Sequence, residues 1–332
     1  MKKWLVFEAA VLVLLVLIAC LLFINLQPKE EPAEPVAATV AQTEEQTEPT
    51  QPPVPPEPIV ATWYDLPDDY IIASPNYFVY DVTAAAYVTK SADPAATQVY
   101  PASITKLFTI HVALQYLEPD AMVTVGSEIK MIDPDSTVAE LQEGDVVTVR
   151  QLVQGMLLPS GNDAAYALAA AAGKVISPDK EITATQAVEV FVQEMNRQAK
   201  LLGMTGSHFC NPDGIHDDEH YLSMEDMVML GKISLENPLV MECTKMQTKD
   251  AKLGDRDVTW SNTNALVRAD KDYYCEYAIG LKTGRTNKAG NCLLSAFVVR
   301  DRILLIGVYG APELQNRFED TLYLLNTTLG LE

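Results

Sequence analysis

Positive charge is scarce in this chain of 332 residues, which carries 24 Lys and Arg against 45 Asp and Glu and a formal charge of −21. Binding a phosphate backbone requires clustered cations, so the deficit excludes a nucleic-acid partner, and an anionic membrane surface would repel the chain. Cysteine is scarce too. Cys20, Cys210, Cys243, Cys275 and Cys292 are odd in number, scattered and without C-x-x-C spacing, which excludes a disulfide framework and a thiolate zinc site. They read as mostly free, partly buried thiols. No internal repeat is present. Hydrophobic residues make up 48% of the chain, enough for one large globular domain or two small ones.

Only one long apolar run exists, and it stands at the N-terminus. Lys2 and Lys3 precede Trp4 to Leu26, whose uncharged stretch from Ala9 to Ile24 is bounded by Glu8. Its length approaches the roughly 20 residues that span a bilayer, so residues 1–26 read as an uncleaved signal anchor and not as a cleavable signal peptide. The alternative is a lipoprotein site at Leu17-Ile18-Ala19-Cys20, but that would leave Leu21 to Leu26 as an apolar stump. Either way the positive end stays inside, placing the remainder outside the cytoplasm at the cell membrane. Residues 27–61 hold nine of the twenty prolines, the last of them Pro58, with Glu, Thr and Gln between them. They read as an extended acidic tether.

From Thr62 onward, residues 62–332, the pattern is globular and mixed. Tyr77 to Tyr80 predicts a strand, and Ile104 to Leu117 a helix. Val149 to Leu158, Asn162 to Ala172 and Thr185 to Leu202 predict further helices. Leu293 to Val299 and Ile303 to Tyr309 predict a hairpin across Arg300-Asp301-Arg302, followed by a closing helix from Arg317 to Leu325. Strand first, helices in the middle, and strands with a helix last imply an α/β (α+β) fold. Its antiparallel sheet is flanked by helices and has an all-helical lobe inserted between sequence-distant strands.

Three short motifs carry chemistry. Ser103-Ile104-Thr105-Lys106 puts an amine over a hydroxyl, because positions i and i+3 share one helix face, and the helix N-terminus offers free N–H groups to a developing oxyanion. Alone it is weak evidence, since an N-cap serine followed by a solvated lysine is the commoner meaning. Ser160-Gly161-Asn162 falls in a helix-to-helix turn and Lys282-Thr283-Gly284 at a strand near the terminal hairpin. Lys106 becomes a usable base at neutral pH if burial or a neighbouring cation lowers its proton affinity, and Lys282 is such a cation.

The ordered triple S-x-x-K, S-x-N, K-T-G, separated by about 55 and about 120 residues, resembles the penicillin-binding proteins and serine β-lactamases. The flanks resemble the low-molecular-mass D-alanyl-D-alanine carboxypeptidases in particular. They are Pro101-Ala102-Ser103, Ser160-Gly161-Asn162-Asp163-Ala164-Ala165, Gly203-Met204, Asn211-Pro212-Asp213-Gly214, and Gly280 to Thr286 with Ala289-Gly290. The resemblance implies a DD-peptidase fold and acylation of Ser103 by the penultimate carbonyl of a peptidoglycan stem peptide ending in D-Ala-D-Ala. It further implies Lys106 as base, Ser160 as proton relay, Asn162 as the group positioning Lys106 and the substrate amide, and Lys282 as a source of positive field. Thr283, Gly284, Arg285 and Arg317 would bind substrate, Thr283 and Arg317 holding the terminal carboxylate. The backbone N–H groups of Ser103 and Arg285 would form the oxyanion hole. β-Lactams would be covalent inhibitors, and no cofactor or metal is implied. Many relatives carry a further C-terminal β domain and an amphipathic tail; here the sequence stops at Glu332, and the N-terminal anchor is expected to replace that tail.

His208, His216 and His220, with Asp213, Asp217, Asp218 and Glu219, raise a metal site, since His216 and His220 have the i, i+4 spacing of a helical zinc pair. Pro212, Gly214 and the acidic run argue instead for a loop. His111 reads as a packed side chain. Three functions compete: the carboxypeptidase, with a DD-endopeptidase as its close variant; a β-lactamase, for which no Glu-x-x-Leu-Asn follows the second motif; and a non-catalytic wall-binding protein, which the intact motif residues disfavour.

Overall fold

The computed structural model describes residues 69–179 and 181–330, which belong to a compact unit running from Val60 to Glu332. The expected anchor and tether lie outside the described residues. Among the described residues no helix is long and apolar enough to cross a membrane.

In chain order the structure runs β1 (Asn76–Asp81), β2 (Ala86–Lys90), β3 (Gln98–Val99), α1 (Thr105–Ala113), β4 (Met122–Thr124), β5 (Val146–Thr148), α2 (Val149–Leu157), α3 (Asn162–Ile176) and α4 (Ala184–Leu201). It continues with β6 (Leu222–Ser223), α5 (Met224–Leu235), α6 (Pro238–Thr244), β7 (Thr248–Leu253), β8 (Arg256–Ser261), β9 (Ala278–Thr286), β10 (Gly290–Val299), β11 (Arg302–Ala311) and α7 (Asn316–Leu329). A five-stranded antiparallel sheet in the order β2-β1-β11-β10-β9 brings the two ends of the unit together, Phe78 lying opposite Gly307. The lobe between β2 and β9 is mainly helical. It also holds three two-stranded sheets, β3 with β6, β4 with β5 and β7 with β8, so the expectation of an all-helical insertion is corrected. Most of those strands have two or three residues, too few to show a period of two in sequence.

The sheet is covered on both faces, which explains its central strands. Along β10, Leu294 and Ala296 join the core beneath the lobe, while Leu293 and Phe297 join a second core beneath α7. Successive side chains point to opposite faces, so a strand buried on both sides becomes an almost continuous apolar run. Phe78 and Phe297 are fully buried, each contributing about 2 to 3 kcal/mol by area removed from water.

Helix starts follow local chemistry. Thr148 with Gln151, and Thr183 with Gln186, form capping boxes at α2 and α4. The chain entering the sheet is tied to α7, where buried Asp320 accepts from Ser74 N at 2.8 Å, Ser74 Oγ at 2.5 Å and Ala73 N at 3.0 Å. Inside the lobe α3 lies directly on the start of α4, and a Cβ at Gly173 would come 1.9 Å from the Ala187 carbonyl oxygen.

Candidate active site

Ser103 stands in a 3-10 turn, Ala102–Ile104, which leads into α1, and it is the half-buried residue in an otherwise buried run from Pro101 to Ile110. Ala102 takes φ 48°, a left-handed conformation that a non-glycine residue keeps only when its surroundings hold it there. What holds it is close packing on β9. A Cβ at Gly284 would lie 2.7 Å from the Pro101 carbonyl oxygen and 3.0 Å from the Ala102 Cβ, so glycine is required where the edge strand passes the serine.

One helical turn on, Lys106 is fully buried and its three N–H groups are all used. Nζ donates to Ser103 Oγ at 2.8 Å, to Asn162 Oδ1 at 2.7 Å and to the Asp213 carbonyl at 2.9 Å. Asn162 opens α3, and its Nδ2 donates to Ser136 Oγ at 2.8 Å. Ser160, in the α2–α3 turn with φ 68°, receives a hydrogen bond from Lys282 Nζ at 2.9 Å. Lys282 also donates to the Thr283 carbonyl at 3.1 Å, and the Thr283 hydroxyl meets that of Thr263 at 2.7 Å. Tertiary structure thus joins all three motifs around one accessible hydroxyl.

Burial governs the electrostatics. It pushes the Lys106 amine down to about 8, against opposing pulls from Asp213 and then Asp163. Of burial and a neighbouring cation, the two causes expected to make this lysine a base, burial is the one that acts on Lys106. The mutual repulsion is felt on Lys282, held well below the ordinary lysine value by burial first, then by Lys106 and Arg317. Asp163, beside Asn162, spends its carboxylate on the backbone N–H groups of Ala139, Leu141 and Ala164 at 2.7 to 2.9 Å. That pins the turn carrying Ser160.

Arg317, on α7, is 6% exposed and is therefore not a surface arginine. Nη1 reaches the Gly284 carbonyl at 3.4 Å, Nε is buried without a partner, and the guanidinium lies 4.8 Å from the Phe318 ring centroid. Burial lowers its pKa to about 10. Arg285 is exposed at the outer end of β9.

The histidines go elsewhere. His216 and His220 lie in a loop, not on a helix, so their spacing does not place them side by side. His216 Nε2 is 3.1 Å from Asp218 Oδ1, and its ring packs edge-on to Tyr100. His220 is buried; Nδ1 accepts from Cys210 N at 3.2 Å and Nε2 lies 2.9 Å from Thr105 Oγ1. Desolvation lowers its pKa to about 3, so it is a neutral brace under α1. His111 stacks on Phe108 with centroids 6.0 Å apart. Cys243, Cys275 and Cys292 are buried free thiols and Cys210 a half-buried one. Ser136, Thr263 and the Asp213 carbonyl were missed as site groups, because nothing local marks a hydroxyl or carbonyl that only folding delivers.

Comparison with known proteins shows the family and the fold. Residues 67–312 match the family model described as D-alanyl-D-alanine carboxypeptidase. A D-alanyl-D-alanine carboxypeptidase of Streptomyces sp. strain K15 is 31% identical over 270 residues, covering 77% of this chain and 87% of that protein. The Escherichia coli DacD carboxypeptidase is 31% identical over 234 residues, 68% of this chain but 55% of its own, so the chain spans about half the length of such relatives. Among solved structures, the Streptomyces K15 DD-transpeptidase superposes with a TM-score of 0.70 at 30% identity, covering 79% of this chain and 98% of the other. Penicillin-binding protein D2 of Listeria monocytogenes, in its cefotaxime-bound form, gives 0.64 at 25% identity, covering 79% and 99%. With the family model matching residues 67–312, a span that contains all three motifs, this chain belongs to the D-alanyl-D-alanine carboxypeptidase family of serine peptidases.

Proposed function

We propose that the protein removes the terminal D-alanine from peptidoglycan stem peptides through an acyl-enzyme on Ser103. The observation that carries the reading is the 2.8 Å contact between Lys106 Nζ and Ser103 Oγ, made by an amine that burial leaves basic yet easily deprotonated. In its neutral form Lys106 takes the Ser103 proton as Oγ bonds to the carbonyl carbon of the penultimate residue. The oxyanion rests on the backbone N–H groups of Ser103 and Arg285. The C–N bond breaks, and the leaving D-alanine nitrogen receives the proton that Lys106 took, relayed through Ser160, which returns Lys106 to its neutral form. Water then attacks the ester, gives its proton to Lys106 and releases the shortened peptide with the serine restored.

Thr283 and Arg317 bind the terminal carboxylate, and Asn162 positions both Lys106 and the substrate amide. An arriving carboxylate raises the proton affinity of Lys282, so that cation is supplied when substrate is bound. β-Lactams acylate the same serine. Residues 1–26 tether this domain outside the cytoplasm, a reading supported by the Lys2-Lys3 start and the apolar stretch that follows.

The test is mass spectrometry of the protein after incubation with a penicillin and, separately, with a peptide ending in D-Ala-D-Ala. One acyl group at Ser103, absent from Ser103→Ala, and loss of one alanine from the peptide are expected; labelling at another residue overturns the assignment. The Streptomyces K15 structure is named a DD-transpeptidase, which favours a second outcome on the same intermediate, with an amine in place of water. Adding an amino acid acceptor and looking for the exchanged peptide separates the two.

A further inference from the structure

Asn211 to Gly214 form a loop braced by their own side chains. Asn211 Oδ1 accepts from Gly214 N at 2.8 Å, its Nδ2 donates to the Ile215 carbonyl at 2.9 Å, and Asp213 Oδ1 accepts from Ile215 N at 3.1 Å. The loop lies flush against the nucleophile's turn, for a Cβ at Gly214 would fall 1.9 Å from the Ala102 carbonyl oxygen. This brings the Asp213 backbone carbonyl to Lys106 Nζ. The side chain of the same residue is 1% exposed, and its Oδ2 is buried without a hydrogen-bond partner.

Two buried carboxyls act on Lys106, Asp213 first and Asp163 second. Burial raises both carboxyls above the ordinary value; Asp163 is met by three backbone N–H groups, whereas Asp213 has those of Ile215 and of its own residue and no ion pair with Lys106 among the described residues. The other titratable neighbours are Lys282 on β9, which repels Lys106, and Tyr166 on α3 and Asp133, which interact with Asp213.

We propose that Asp213 is a positioning residue for the base: its carbonyl holds the Lys106 amine on Ser103, and its buried carboxylate sets through space how tightly that amine keeps a proton. This rests on reading Lys106 as the base. Burial, unopposed, would leave Lys106 a weak acceptor, and a nearby negative charge restores its basicity. Losing that charge has two consequences of opposite sense. The amine becomes neutral at lower pH, but as a poorer base it strips the serine less well.

The test is the pH profile of kcat/KM for Asp213→Asn on a D-Ala-D-Ala peptide. The acid limb is expected to move down by about 1 unit, the low end of what an opposite charge within reach produces. The plateau is expected to fall about 3-fold for a base weakened by that amount. Asp213→Glu should return the limb toward the wild-type position. A plateau that falls with the limb unmoved means the residue only holds the loop and overturns the proposal, as does a limb that moves up. If Asp213→Asn fails to fold, the wild-type protein labelled with ¹³C at lysine Cε decides, with Lys106→Arg identifying the signal. The Lys106 resonance should show a second, smaller step as Asp213 titrates, and a single step overturns the coupling. Penicillin labelling of Ser103 in the wild type is scored separately: its absence sinks the reading of Lys106 as base, while intact labelling with an unmoved limb sinks only Asp213.

Discussion

Lys282 Nζ lies 2.9 Å from Ser160 Oγ, although the two residues are 122 positions apart. Lys106 makes the matching contact with Ser103 across only three positions. Two hydroxyl–amine pairs therefore serve one site, one built by a helical turn and the other by the fold.

Ser160→Ala removes the proposed relay and leaves the fully buried Lys282 with the Thr283 carbonyl as its acceptor. A fall in kcat/KM of roughly 10²- to 10⁴-fold is expected from steady-state kinetics, the usual scale for a lost proton-transfer group. Wild-type turnover would move the relay to another residue.

As the proposed base, Lys106 would work unprotonated, and burial brings its pKa to about 8. kcat/KM should therefore rise with pH and level off above that value, falling about tenfold per unit below it. Lys106→Arg should abolish turnover at every pH, because guanidinium does not deprotonate in this range. A limb near 6.5 would point to a histidine and away from Lys106.

For Arg317→Ala, a loss of roughly 10- to 1000-fold in kcat/KM on a D-Ala-D-Ala peptide is expected, from a charge-assisted pair of about 1.5 to 4 kcal/mol. Acylation by a penicillin, whose strained ring brings reactivity of its own, should suffer less. Amidating the peptide's C-terminus should cost the wild type a similar factor and the variant little. If the two losses multiply, Arg317 does not meet the carboxylate and serves β9 through Gly284 alone.

Gly173→Ala tests the packing of the lobe. The added methyl would collide with backbone at Ala187 and not with a movable side chain. Destabilisation of about 1 to 3 kcal/mol or more is expected in urea unfolding. An unchanged midpoint would show that α3 and α4 separate easily.

EDTA should leave turnover unchanged, because both ring nitrogens of His220 are engaged by Cys210 and Thr105 and His216 is paired with Asp218. Inhibition by chelator that zinc reverses would restore the histidine cluster as a metal site.

Local features were legible in the sequence because their causes are local. The i, i+3 spacing of Ser103 and Lys106, the helices opened by Thr148 and Thr183, and the apolar runs of β10 and β11 depend only on neighbours along the chain. Order and spacing of the three motifs were enough to name a family, and with it the placing of Ser160 and Lys282 near Ser103. The short strands β3 to β6 left no pattern, since two or three residues cannot display a period.

The chemical state of the site belongs to the tertiary structure. Whether Lys106 is a solvated cation or a base near pH 8 depends on its complete burial and on the carboxyls of Asp213 and Asp163, residues brought together from α3 and a loop 107 positions away. A lysine followed along the sequence has the same side chain in either case. Only packing removes its water, and the free energy of losing that water, not residue identity, sets how readily it gives up a proton. Arg317 makes the same point. Its place in the sequence is that of an ordinary surface arginine at a helix start, and the fold instead buries it against Phe318 and the carbonyl of Gly284, a removal from water that no local pattern marks.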